Sequence, residues 1–184
     1  MERKPATYAD LEALPDNVVG ELISGVLHTS PRPAGPHAVA ASHLGGVLIL
    51  PFVGGQGGPG GWFILIEPEL HLGEDVLVPD LAGWRRERMP QAPKAAAFTL
   101  TPDWVCEVLS PSTKALDRTE KLPVYAREGV RHVWLLDPTA RTLEVFRLED
   151  ADYSLLATHS GPAQVRAEPF EAVELKLAFL WGEL

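Results

Sequence analysis

Trp104-Val105-Cys106-Glu107-Val108-Leu109, followed by a helical segment and then by His132-Val133-Trp134-Leu135-Leu136, sets the expected architecture. Both runs are short, apolar and rich in β-branched and aromatic residues, the signature of strands inside a sheet. Between them Ser112 or Thr113 is placed to cap a helix, Asp117 and Lys121 stand one turn apart, and Gly129 occupies the position of a helix-ending glycine. Pro123 either kinks this helix or opens a second one as its first residue. The order strand, helix, strand predicts a right-handed crossover and hence a mixed sheet with helices packed on it, an α/β (α+β) arrangement.

Working outward, further strand-like runs fall at 62–72, 76–84, 143–148 and 153–158, separated by turn residues. Upstream, Thr7 and Asp10 with Leu11 and Leu14 predict a short capped helix that stops at Pro15. Residues 18–23 and 26–29 flank Ser24-Gly25, a two-residue hairpin signal. Residues 30–36 read as a rigid proline-rich turn. Val39, Ala40, Leu44, Val47 and Leu48 recur at three- and four-residue steps and predict an amphipathic helix over 37–50, weakened at Gly45-Gly46. The glycine-rich stretch 54–61 lacks the Lys-Ser/Thr of a phosphate-binding loop and reads as a connector.

The chain has 184 residues, 46% of them hydrophobic and 22% charged, and a formal net charge of −9. That composition predicts one domain spanning 1–184 with a sizeable core. The acidic balance argues against polyanion binding by the surface as a whole, so any nucleic-acid contact must be local or helped by metal. A lone cysteine, Cys106, excludes an internal disulfide and fits a buried thiol in a reducing compartment. No apolar leader region follows Met1, and no stretch is expected to reach the ~18 apolar residues that cross a bilayer. A cytoplasmic location without membrane contact is the expectation.

Two carboxylates lie in apolar runs: Asp80 in Val76-Leu77-Val78-Pro79-Asp80, and Glu107. A buried ionised carboxylate is costly unless it is paired with a cation, bound to a metal or held protonated. Period-two alternation puts Val105, Glu107 and Leu109 on one face of their strand and Trp104, Cys106 and Val108 on the other. The intervening 91–94 connection allows the Asp80 and Glu107 strands to lie side by side. Two converging carboxylates repel unless a cation sits between them. Hard oxygen ligands with open positions suit Mg²⁺ or Mn²⁺, which activate water and neutralise charge developing on a phosphodiester. Glu67, Glu69 and His71 would share one strand face. A solvated face is the ordinary account, with Glu67 a further candidate metal ligand and His71 a surface residue.

Pro79-Asp80, the buried Glu107, Ser110-Pro111-Ser112-Thr113, Asp117, Lys121, Tyr125, Gly129, Trp134 and Asp137-Pro138 form an ordered set. The set resembles the Uma-type restriction endonuclease family, a branch of the PD-(D/E)XK nuclease superfamily, and the resemblance extends from the Glu21 hairpin to the C-terminal strand region. It implies a restriction-endonuclease-like mixed sheet flanked by helices, with an N-terminal helix and hairpin. It also implies Asp80 and Glu107 as metal ligands, Mg²⁺ or Mn²⁺ as cofactor, and DNA as substrate. The superfamily lysine belongs two residues after the glutamate, where this chain has Leu109. The resemblance points to Lys121 as a migrated lysine that would stabilise the phosphate. Its plain alternative is a surface lysine paired with Asp117, and Lys114 is the other lysine near the motif. Glu21 matches the family's N-terminal glutamate, and His37 a family histidine able to carry a proton or touch phosphate. Each has an ordinary alternative, an exposed strand-end carboxylate and a helix-start histidine.

Tyr125, Trp104 and Trp134 read as core aromatics rather than base-stacking platforms. Homodimerisation is compatible with the chemistry, since two-fold pairs are the commonest oligomers. The apolar 175–181 stretch would cover the core or form that interface. A second functional class stands beside the nuclease: a non-catalytic protein of the same fold that binds nucleic acid or a protein partner, suggested by Leu109 and the acidic balance.

Overall fold

The computed structural model describes residues 4–31 and 35–183. The Arg32-Pro33-Ala34 part of the expected turn and Met1-Glu2-Arg3 lie outside the described residues. A six-stranded sheet forms the centre, in the order β10(Asp152–Ser160), β9(Thr142–Glu149), β8(His132–Asp137), β7(Trp104–Val108), β6(Leu81–Arg85), β3(Trp62–Ile66). Only β7 and β8 run parallel, as the helical crossover between them requires. A four-stranded sheet, in the order β2(Val26–Pro31), β1(Val18–Ile23), β5(Asp75–Leu77), β4(Leu70–Leu72), packs beside it.

The N-terminal helix α1(Tyr8–Glu12) starts where the sequence predicts, with the Asp10 carboxylate accepting the Thr7 amide at 2.7 Å. Ser24 and Gly25 turn the β1–β2 hairpin with φ of 51° and 75°, the pair of positive values that matches strand twist in a two-residue loop. β2 extends through Pro31, two residues beyond the expected end.

Two expected strands are each broken in two. Residues 62–72 divide into β3 and β4, and 76–84 into β5 and β6. At each break the chain passes between the two sheets, so one apolar run supplies strands to both. Glu67, Glu69 and His71 therefore do not share a strand face. Glu69 accepts a hydrogen bond from the Tyr8 hydroxyl and pairs with His71, both at 2.7 Å.

Each face of the six-stranded sheet carries its own core. On one, Trp104, Cys106 and Val108 pack with Trp134 and with Ala40, Leu44 and Leu48 of α2(Gly35–Leu48). On the other, Val105 and Leu109 pack with Val133, Leu135, Ile23, Leu77 and with Val124 and Tyr125 of α4(Leu122–Arg127). The alternation read from sequence thus holds across β7. Cys106 is buried, and burial pushes its thiol well above the ordinary range.

α2 continues into a π-helical turn, Ile49–Val53. The resulting 19-residue stretch has a mean hydropathy of 1.4 and is long and apolar enough to cross a membrane, which corrects the expectation that no such stretch exists. Its apolarity has a local cause, since Leu44, Leu48 and Phe52 are buried in the core. The C-terminal β12(Leu175–Lys176) and α5(Leu177–Leu180) close the same core, with Leu175, Leu177 and Leu180 buried.

Candidate active site

The site forms where β3, β6 and β7 meet the second sheet and the crossover helix. β6 pairs antiparallel with β7, Leu81 opposite Cys106 and Ala82 opposite Val105. Asp80 immediately precedes β6 and lies just outside the strand, rather than within it. Its Oδ2 accepts the amide of Val108 at 2.7 Å, and its main-chain oxygen accepts the amide of Glu67 at 3.0 Å. These two bonds set Glu67, Asp80 and the Glu107 strand end side by side. Glu67 has a φ of 49°, a left-handed conformation that side-chain-bearing residues adopt at a cost and that clusters near functional sites.

A cleft of about 270 Å³ opens here, lined by Glu21, Glu67, Asp80, Glu107, Asp117, Lys121 and His37, with Ser110, Pro111, Ser112 and Thr113 on its rim. All six residues singled out from sequence, Asp80, Glu107, Lys121, Glu21, His37 and Glu67, line this one cleft. Glu21 sits within β1, and is buried rather than exposed at a strand end. Its Oε1 accepts the Val78 amide at 2.8 Å. His37, in the first turn of α2, places Nε2 3.1 Å from Asp80 Oδ1, while its buried Nδ1 has no hydrogen-bond partner among the described residues.

Lys121 is 3% exposed and is no surface residue. It ends the π-helical turn Asp117–Lys121, which joins the short α3(Lys114–Leu116) to α4. Its ammonium stands 2.9 Å from Glu21 Oε1, 2.9 Å from Glu107 Oε1 and 3.5 Å from Asp117 Oδ1. Burial disfavours the lysine's charge, but the three carboxylates outweigh it and hold its pKa well above the ordinary value. Lys114 turns elsewhere, to Asp137 at 2.8 Å.

Glu107 is almost wholly buried. Burial pushes its carboxyl well above the ordinary range against the pull of Lys121, and the neighbouring Asp117, Asp80 and Glu21 push the same way. Asp117 is raised for the same first cause, again against Lys121. At His37 burial works against the charge, but the Asp80 carboxylate prevails and the pKa is raised.

Asp117 and Tyr125 belong to the ordered set that carries the resemblance, but neither has a role at the site assigned from sequence. Asp117 enters only as the partner of Lys121 in its plain alternative, and Tyr125 as a core aromatic, which it is. Both surround the same carboxylate network, and the Tyr125 hydroxyl donates to Glu107 Oε1 at 2.5 Å. Their four-residue spacing with Lys121 was the available signal, since such residues share a helix face.

Five carboxylates face one buried ammonium and one imidazole, an excess of negative charge that favours a bound cation. Among the described residues, no group of three or more acidic, histidine or cysteine side chains is arranged to hold a metal ion. An all-oxygen donor set that leaves positions for water fits Mg²⁺ or Mn²⁺, which are held by one or two carboxylates, better than a caged metal.

A mixed sheet with an acidic cleft at the ends of its central strands defines a protein of the restriction-endonuclease-like class. The chain belongs to the Uma2 family, described as "putative restriction endonuclease", whose model matches residues 5–179. The crystal structure of a putative nuclease belonging to DUF820 from Anabaena variabilis ATCC 29413 superimposes with a TM-score of 0.78 at 25% identity, covering 97% of this chain and 99% of that one. No curated protein matches.

Proposed function

We propose that this protein is a divalent-metal-dependent nuclease that hydrolyses DNA phosphodiester bonds, with Asp80 and Glu107 holding Mg²⁺ or Mn²⁺. The observation that carries this reading is the side-by-side setting of the two carboxylates, with Asp80 bonded to the amide that follows Glu107. Membership of a family described as "putative restriction endonuclease" and likeness to the structure of a "putative nuclease" support it.

A metal bound there would supply an activated water and neutralise charge on the phosphodiester. Glu67 is placed to complete the acidic row beside Asp80. Glu21 holds Lys121 at the cleft wall, where the lysine serves as the migrated counterpart of the missing strand lysine and neutralises the scissile phosphate. Leu109, where that lysine would otherwise stand, is committed to the core. His37 holds Asp80 Oδ1 and is placed to carry a proton at the cleft.

The test is the Mn²⁺ and Mg²⁺ dependence of thermal stability for wild type, Asp80→Ala and Glu107→Ala, followed by cleavage assays on DNA. Saturable stabilisation in wild type that disappears in both variants is expected, because a ligand that binds only the folded state raises apparent stability. Stabilisation that survives in Asp80→Ala would sink the assignment.

A second reading is a non-catalytic regulatory module that binds nucleic acid or protein. It is favoured by Lys121 itself, whose ammonium is engaged by three carboxylates. Nucleic-acid binding without metal, and no metal stabilisation, would select it.

A further inference from the structure

We propose that Tyr125 is a positioning residue of the metal site: its hydroxyl keeps one oxygen of Glu107 in place so that Lys121 can leave that oxygen for a substrate phosphate. The inference rests on the metal-dependent reading above.

Two donors converge on a single oxygen of Glu107, Tyr125 Oη at 2.5 Å and Lys121 Nζ at 2.9 Å. An ammonium has three N–H bonds. Lys121 Nζ lies 2.9 Å from both Glu107 and Glu21 and 3.5 Å from Asp117, so a phosphate must compete with these carboxylates for the ammonium. Where the phosphate wins, Lys121 gives up a carboxylate. Were it the sole donor to Glu107, its departure would leave a buried charged oxygen unmatched, the costly outcome for such a pair. With Tyr125 in place, Glu107 retains a donor on that oxygen and its other oxygen keeps its direction.

The two donors differ in mobility for physical reasons. Lys121 has a four-carbon stem, whereas the Tyr125 ring is fully buried in the core formed by Val105, Leu109, Val133 and Leu135. It cannot follow the lysine. Phenylalanine would fill the same volume, so the hydroxyl is the feature with a separate role.

The experiment is Mn²⁺ binding by the full chain, followed by electron paramagnetic resonance and calorimetry, in wild type, Tyr125→Phe and Asp80→Ala. Tyr125→Phe is expected to bind Mn²⁺ about tenfold more weakly, as removal of a group that orients a metal ligand typically does, with a metal-free melting temperature near that of wild type. Wild-type affinity in folded Tyr125→Phe overturns the inference. Failure of wild type to bind Mn²⁺ at all overturns the metal reading and this inference with it, and the two failures are thereby distinguished.

If Tyr125→Phe does not fold, the wild-type chain carrying 3-fluorotyrosine gives the answer. Its three tyrosines are Tyr8, Tyr125 and Tyr153, assigned by Tyr8→Phe and Tyr153→Phe. The Tyr125 fluorine resonance is expected to move saturably with Mg²⁺ while the other two stay still. A static Tyr125 resonance under saturating Mg²⁺ overturns the inference.

Discussion

The carboxylate of Asp80 accepts the amide of Val108 at 2.7 Å, so the acid just before β6 is tied to the backbone of the strand that carries Glu107. Asparagine retains an acceptor for that amide, and alanine does not. Asp80→Asn is expected to fold with near wild-type stability, while Asp80→Ala loses about 1 kcal/mol or more. Metal-induced stabilisation is absent in both. Urea unfolding with and without Mn²⁺ separates the two effects.

Lys121 is the counter-ion of three carboxylates in a space with little water. Lys121→Met leaves Glu21, Glu107 and Asp117 without it and is expected to cost about 3–5 kcal/mol, as breaking a buried ion pair does. A loss below 1 kcal/mol in chemical denaturation at neutral pH would show that the network carries little charge in the folded state.

Two aspartates are expected to move stability in opposite directions with pH. At Asp137 burial opposes ionisation, but the amides of Ala140 and Thr139 and the Lys114 ammonium lower its pKa below 3.8. Its contribution is present above 3.8 and lost as pH falls through the lowered folded value. Asp117 is raised above 3.8 by burial, despite Lys121. Its contribution is present below 3.8 and lost as pH rises through the raised value. Unfolding measured from acid to neutral pH should therefore show the deficit of Asp137→Asn growing with pH. The wild-type advantage over Asp117→Asn should shrink over the same range.

Glu67 holds a φ of 49° at the mouth of the cleft. Glycine removes the steric cost of that conformation and alanine keeps it, so metal-free Glu67→Gly is expected to be about 1 kcal/mol more stable than Glu67→Ala. Equal melting temperatures for the two variants would count against strain at this position.

Gly83 lies in β6 beneath two indoles. A Cβ there would stand 3.2 Å from Trp104 and 3.3 Å from Trp62. Gly83→Ala is expected to destabilise by about 1–3 kcal/mol through overpacking, read as a lower denaturation midpoint with the metal response retained.

Local chemistry in the sequence determined a good part of this protein. Period-two alternation assigned Glu107 and Cys106 to opposite faces, Ser24-Gly25 set the hairpin, and the 104–136 pattern required a parallel pair with a helix between, because each depends on residues near one another in the chain. The breaks at 67–69 and 78–80 each hold a proline, Pro68 and Pro79, which argues against an unbroken strand, but nothing local says that the chain crosses to a second sheet there. Nor was the setting of Lys121 and Tyr125 legible. A lysine four residues from an aspartate, and a tyrosine four residues further, have the same spacing on a solvated helix as on a buried one. Only the packing of that helix over β7 decided that these side chains meet Glu107 away from water, where excluded solvent turns a weak surface pairing into the network that holds the site.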